Sequence, residues 1–359
     1  MSFAYAEIKL DNLERNVEAI KDILQDGVEI LAVVKANAYG HGSIEVSKKL
    51  SVLNINNLAV ATYEEAMEIK SAGVKSNILI LGSITNEEII SSIDKNILFT
   101  IYDISQLYFI DSLNLDSISF HLKIDTGMNR LGIYREQIIE SISIINKNPN
   151  LSLKGIYTHF PESNLVDSKF TESQIDEFDK IIMSFKNAIP NIDFFHISNS
   201  TGIINFPKSH LNMARPGLAL YGLVTEENSE IIPVMELKTS IVKIRNIKKG
   251  DSVSYGRTFI AKEEMIIGVI PIGYADGLPR ALSNKGKVTC KDKNCDILGR
   301  VCMDLTIINL SEIDNPRVGD EVIIFGTEKI NANQVADLAD TIPYEIVCGI
   351  SKRVKRIYK

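Results

Sequence analysis

Short apolar, β-branched runs recur along the first two-thirds of this chain, separated by segments of helical period, and few folds accept that rhythm. The runs are ILAVVKA (30–36), NLAVAT (57–62), NILILG (77–82), ILFTIY (97–102), FHLKID (120–125), KGIYTHF (154–160), FFHISNS (194–200) and ARPGLALYG (214–222). Between them, 44–53, 63–72, 86–93 and 172–185 place apolar residues at 3.6-residue spacing. Strands that are apolar on both faces and alternate with helices belong to a parallel sheet covered on both sides. Eight such units predict an α/β fold, a closed (β/α)₈ TIM-type barrel; an open doubly wound sheet is the alternative.

The texture changes after about Gly222. KTSIVKIRNI, SVSYGRTF, MIIGVIPIGYA, KVTCKDKNCDILGRVCMDLTIINL and EVIIFG alternate polar and apolar residues, with KKGD, LSNKG and VGD between them. That pattern predicts a mostly antiparallel β C-terminal domain, with a short helix over 332–340. The boundary is expected within 227–232, giving a barrel over 1–230 and a β-rich domain over 231–359.

Bulk properties narrow the function. The net charge is −7 and no Lys/Arg block stands out, which argues against nucleic acid and anionic membrane as partners. The first residues, MSFAYAEIKLDNLERN, do not read as a signal peptide, and apolar runs such as 266–272 are too short to span a bilayer. Four cysteines with no secretion signal are expected to be reduced, so a cytoplasmic location is expected. Cys290 and Cys295 in CKDKNC lack a completing pair or histidine cluster, so no metal site is expected. They read as a surface turn, and Cys302 and Cys348, in apolar runs, as small core residues.

In a barrel, functional side chains gather where strands end at their C-termini. That rule nominates Lys35, the IDTGMNRLG loop with Arg130, His159, Asn199 with Ser200, and Arg215 with Gly217. Lys35 ends an apolar run, where desolvation lowers an amine's basicity and favours Schiff-base chemistry; by itself it reads first as a snorkelling lysine. Ser200 and the ARPG turn suit an anion through a hydroxyl and backbone N–H groups. By themselves His159 reads as a core histidine and Tyr255 as an edge aromatic. His121, His196 and His210 take the structural reading, and His41 reads as a cap on its glycine turn.

VVKANAYGHG (33–42) resembles the cofactor-binding motif of the alanine racemases. The resemblance continues through HLKIDTGMNRLG (121–132), YTHF (157–160), SNS (198–200), ARPGLALYG, VSYGRTF (253–259), GYADGLPR (273–280), GRVCMD (299–304) and PYEIVC (343–348). The matches run in order over nearly the whole chain. The resemblance implies a barrel and a β-domain, pyridoxal 5′-phosphate (PLP) as cofactor and a homodimer that shares its active sites. The implied reaction interconverts L- and D-alanine, supplying D-alanine for the cell wall.

It also implies residue roles. Lys35 would carry PLP and act as one of two acid/base groups, with Tyr255 of the partner subunit opposite; Arg130 and the His159–Arg215 pair would tune that tyrosine. Arg215 would face the pyridine nitrogen without giving up a proton. Tyr39, Asn199, Ser200, Gly217, Leu218 and Tyr344 would bind the cofactor. Arg130 and the partner's Met303 would hold the substrate carboxylate. Lys123 matches a lysine that is often carbamylated in this family.

Two positions depart from the family pattern: Leu305 in MDL, where a polar residue is expected, and Pro343 before Tyr344, where asparagine is common. They leave open a broader or serine-preferring racemase. A PLP decarboxylase or aldolase fits less well, because an acidic residue would then protonate the ring. A PLP-binding protein without catalysis would lack the second domain.

Overall fold

The computed structural model describes residues 4–113, 115–224 and 230–359. β1 (Tyr5–Ile8) comes first and stands apart from the eight strands that follow. These are β2 (Glu29–Val33), β3 (Asn57–Val60), β4 (Asn77–Ile80), β5 (Leu98–Ile101), β6 (Ile118–Lys123), β7 (Leu151–Tyr157), β8 (Phe194–His196) and β9 (Met213–Ala214). They pair in parallel in the order β8-β7-β6-β5-β4-β3-β2-β9. β2 meets β9 with Glu29 opposite Met213. Between β8 and β9 the gap is bridged by the Arg215 amide, which donates to Ser198 O at 2.9 Å. The sheet is therefore a nearly closed barrel, as the alternating runs predict.

Helices cover the outside. Ser43–Val52, Tyr63–Ser71, Asn86–Asp94 and Lys169–Ala188 match the expected segments. Local chemistry starts several of them: Thr62 accepts from the Glu65 amide, and Thr85 with Glu88 makes a reciprocal capping box. Leu10–Ile23, Ile104–Asp111 and Ile138–Lys147 complete the ring and were not foreseen. The segment 214–222, expected as a strand, is extended only at Met213–Ala214 and then turns into a 3₁₀ helix at Leu218–Tyr221. Closing a barrel with a two-residue strand frees Arg215 and Gly217 to face its mouth.

In the second domain, one sheet contains the strands Met235–Ser240, Lys287–Cys290, Lys293–Asp296, Glu321–Phe325 and Lys355–Tyr358; a smaller one contains Lys243–Ile247, Met265–Ile270 and Thr306–Asn309. Pairing is mostly antiparallel. β1 also lies in the larger sheet, antiparallel to Met235–Ser240 and parallel to Lys355–Tyr358. The N-terminal strand thus contributes to the second domain, although sequence reading places it with the barrel. Part of the expected boundary, 227–229, lies outside the described residues.

The cysteines reverse the sequence reading. Cys290 and Cys295 are buried on a hairpin whose turn is Lys291–Asp292, while Cys348 is exposed and Cys302 intermediate. On strands this short, the inward face is set by neighbouring strands that the local sequence does not reveal.

Candidate active site

A cavity of about 390 Å³ opens at the C-terminal ends of the barrel strands. Its lining includes Lys35, Tyr39, Lys123, Arg130, Tyr157 and His159 from the first six barrel strands and their loops. From the last two come Asn199, Ser200, Arg215, Gly217 and Leu218, and from the second domain Tyr344. Every candidate residue except Tyr255 and Met303 is gathered there.

Lys35 follows β2 at the start of a backbone turn that L-residues seldom adopt. Ala36, Asn37, Ala38 and Tyr39 all have positive φ, between 51° and 56°, a single left-handed helical turn. Such a turn costs roughly 1–2 kcal/mol per residue and persists only where surrounding contacts over-determine it. Glu65 supplies one such contact, accepting from the Ala36 and Ala61 amides at 2.7 Å each. Burial, and next the Arg130 charge, hold the Lys35 amine below its ordinary basicity.

Arg215 is fully enclosed and tightly placed. Its guanidinium donates to Thr158 O at 2.7 Å, Ile197 O at 2.9 Å and His196 Nδ1 at 2.8 Å; a longer bond of 3.3 Å reaches His159 Nδ1. An arginine only donates, so both imidazoles accept through Nδ1 and carry their proton on Nε2. His196 Nε2 then donates to His121 Nδ1 at 3.0 Å. Burial and the adjacent Arg215 charge push His159 and His196 well below the usual histidine range, and His121 down to about 3. All three are neutral. Burial also lowers Arg215 itself to about 10, which still leaves it charged at neutral pH.

His196, read from sequence as structural, therefore positions Arg215. Tyr157 had no assigned role. Its ring stacks on His196 at 4.7 Å and lies 5.2 Å from the Arg215 guanidinium carbon and 5.6 Å from Lys123 Nζ. The signal was present in YTHF, but a tyrosine on a strand does not announce two cations above its face.

Lys123, at the end of β6, is buried and held down to about 8, first by burial and then by Arg130 and Arg215. Lys35, Lys123, Arg130 and Arg215 thus bring four cationic side chains to one cavity, whose lining contains no acidic residue. Such a cavity takes anions.

One wall is lined by a hydroxyl and backbone amides. Ser200 opens the helix Ser200–Asn205, with Asn199 Oδ1 capping it through the Gly202 amide at 2.9 Å. The Ser200 hydroxyl accepts from the Gly217 and Ala219 amides at 2.9 and 3.1 Å. At Gly217 a Cβ would lie 2.7 Å from the Tyr39 hydroxyl, so any side chain there would push that phenol aside. Tyr344 closes this wall, its ring 5.8 Å from that of Tyr39.

Tyr255 and Met303 lie elsewhere, on the surface of the second domain, 71% and 52% exposed. The Met303 loop is braced by the Cys302 amide donating to Leu305 O at 3.0 Å. It is also held by Arg353, which bridges Asp276 and Asp304 at 2.8 and 2.7 Å. Among the described residues no cluster of His, Cys, Asp or Glu could hold a metal, and no helix is long and apolar enough to cross a membrane.

An amine of lowered basicity at a barrel mouth, an arginine held among neutral imidazoles and a hydroxyl-and-amide wall fit a barrel enzyme that uses pyridoxal phosphate. Residues 8–225 match the family model for the alanine racemase N-terminal domain, and 234–358 that for the C-terminal domain. The chain belongs to the alanine racemase family. It is 40% identical over 363 residues to alanine racemase 2 of Caldanaerobacter subterraneus subsp. tengcongensis, covering 98% of this chain and 94% of that protein. Among solved structures, an alanine racemase of Clostridium difficile superposes with a TM-score of 0.93 at 35% identity, covering 100% of this chain and 96% of that one. One from Bacillus anthracis with bound L-Ala-P does so with a TM-score of 0.92 at 32% identity, covering 100% and 95%. The activity is PLP-dependent racemisation of alanine, an isomerase reaction.

Proposed function

We propose that the chain works as a cytoplasmic homodimer whose active site is completed by the second domain of the partner subunit, and that it supplies D-alanine for the cell wall. The exposure of Tyr255, outside the cavity its own chain forms, carries this reading. In it Lys35 would hold PLP through Nζ, the Ser200–Gly217–Leu218 wall with Tyr39, Asn199 and Tyr344 would take the phosphate end, and Arg215 would donate to the pyridine nitrogen. When bound, PLP withdraws the electrons left on the substrate α-carbon as its proton departs.

The chain's own groups then divide the proton work. Lys35 Nζ, poorly basic and partly desolvated, takes or returns the α-proton on one face. The partner subunit's Tyr255 does so on the other. A tyrosine needs nearby donors or cations to act as a base, and His159, with its proton fixed on Nε2 by Arg215, supplies one donor. Arg130 and the partner's Met303 amide hold the substrate carboxylate. The neutral fraction that Lys123 keeps near pH 8 suits it to accept carbon dioxide as a carbamate, whose negative charge would orient Arg130. Alanine is the substrate, and Leu305 and Pro343 are the places to seek any tolerance of larger side chains.

Subunit mixing tests the shared site. Lys35→Ala and Tyr255→Phe are each expected to be nearly inactive. Unfolding and reassociating them together should restore roughly a quarter of parental activity, because half the dimers would be mixed and each would keep one intact site of two. No recovery, with mixed dimers demonstrated, would place Tyr255 and Lys35 in the same chain's site and overturn the proposal.

A further inference from the structure

We infer that His41 is a positioning residue for the reaction, holding the left-handed turn so that Tyr39 is presented to the phosphate end of the cavity. The inference rests on reading Tyr39 as a phosphate-holding residue.

His41 has no solvent exposure. Its Nδ1 lies 3.0 Å from Ala38 O and 2.9 Å from Tyr39 O, the last two carbonyls of the turn. Carbonyls only accept, so Nδ1 carries the proton and is shared between them. The opposite nitrogen, Nε2, has no partner among the described residues. Protonating it would bury an unmatched N–H, so the ring stays neutral in its Nδ1–H form; burial accordingly depresses it to about 4. The imidazole borders a cavity of about 140 Å³ between the two domains, lined also by Asn333, Phe325 and Val347.

Two further contacts point the residue at the site. Its ring lies 4.6 Å from that of Tyr221, which in turn lies 5.0 Å from Tyr39. The Tyr221 hydroxyl donates to Val33 O at 3.0 Å, two residues before Lys35. His41 therefore touches the rear of an aromatic stack whose front consists of Tyr39 and Tyr344.

The remaining holds act at other points of the turn. Glu65 takes its first amide, Arg356 Nε donates to Gly40 O at 2.9 Å, and Asn37 Oδ1 accepts from the Ser43 amide at 2.9 Å. Among the described hydrogen bonds only His41 reaches the Tyr39 carbonyl itself. Removing that donor leaves the path of the loop fixed at both ends and releases the residue that carries the phenol.

The test measures PLP affinity by titrating apoenzyme, with melting temperature and the phosphorus NMR shift of bound cofactor alongside. His41→Phe keeps a ring against Tyr221 but removes the donor. It is expected to weaken PLP binding about tenfold or more and shift the phosphorus resonance, with little change in melting temperature. His41→Asn, whose amide N–H can occupy the Nδ1 position, should restore most of that affinity.

Parental PLP affinity in His41→Phe overturns the inference, as do equal losses of affinity and melting temperature in both variants. Tyr39→Phe separates the two claims. Unchanged affinity there overturns the phosphate reading of Tyr39, whereas a loss there with none in His41→Phe overturns only the positioning role. Should His41→Phe fail to fold, nitrogen NMR of the parent holoenzyme decides. A neutral Nδ1–H ring from pH 6 to about 9 supports the inference, and an Nε2–H or titrating ring overturns it.

Discussion

The barrel mouth and the face of the second domain that carries Tyr255 are built to different standards. At the mouth, Arg215 is held by four partners, His196 is fixed by its neighbours on both sides, and Gly217 leaves space for one hydroxyl. On the second domain, Tyr255, Met303 and Leu305 stand in solvent on braced loops. The first region is finished within one chain. The second has a firm backbone and an uncovered face, and under the proposed dimer its side chains gain their roles when the partner subunit covers them. Preorganised groups keep their geometry after a single substitution nearby, whereas an assembled half-site depends on association.

The comparison can be broken from either side. The largest effect is expected at Tyr255→Phe, which removes the proposed second proton-transfer group and nothing from the barrel. Turnover should fall about 10²- to 10⁴-fold, while the visible absorbance of bound PLP and its affinity stay parental. Exchange of α-deuterium should fall much more from one alanine enantiomer than from the other. Equal loss from both, or loss of PLP, would show that the tyrosine supports the barrel mouth after all.

Next comes Leu305→Glu, which sets a charge on the exposed patch beside Met303. It should weaken self-association about tenfold or more, with activity lost on dilution and regained at high protein concentration. Sedimentation and activity measured over one dilution series check this. A concentration-independent loss would instead assign Leu305 to the substrate pocket alone.

The smallest effect separates the two regions by acid. All five histidines lie in the barrel, and burial depresses His41, His121, His159 and His196 below the ordinary 6.5. The unfolded chain takes up protons on these groups before the folded one does. Their contribution is therefore intact above about pH 6.5 and falls as pH drops toward 4 and 3. In the second domain's sheet Glu7 behaves differently. The ion pairs it makes with Lys359 and Lys238 outweigh the opposing effect of burial and depress its carboxyl, so its contribution is lost only as pH falls below about 4.5. Hydrogen exchange at pH 5 should therefore show barrel amides opening before those of the β1 sheet. The reverse order would overturn this assignment.

The sequence carried some of this plainly and hid the rest. Barrel strands are legible because both faces are buried, so ILAVV and NILIL need no pattern finer than continuous apolarity. Lys35, His159 and Arg215 follow from the rule that chemistry sits at strand ends. Other features depend on partners distant along the chain. The left-handed turn is spelled Ala-Asn-Ala-Tyr, with none of the glycines that mark positive φ, and Glu65 and Arg356, distant along the chain, join the nearby His41 and Asn37 in holding it. The helix Leu10–Ile23 carries Leu13, Val17 and Ile20 inward at helical spacing, yet its start lacks a side-chain cap to mark it. Tyr255 in an SYG turn has no local signal; only the ordered run of motifs singles it out.

β1 sets an order of events on the chain as it is made. It lies between Met235–Ser240 and the final strand Lys355–Tyr358, and Lys359 pairs with Glu7 across the join. One edge of β1 can pair only once Met235–Ser240 has been made and the other only with Lys355–Tyr358, so the whole barrel is synthesised before either edge is filled. Completion of the barrel therefore does not close the molecule; the larger sheet closes only when β1 is seated between these two strands.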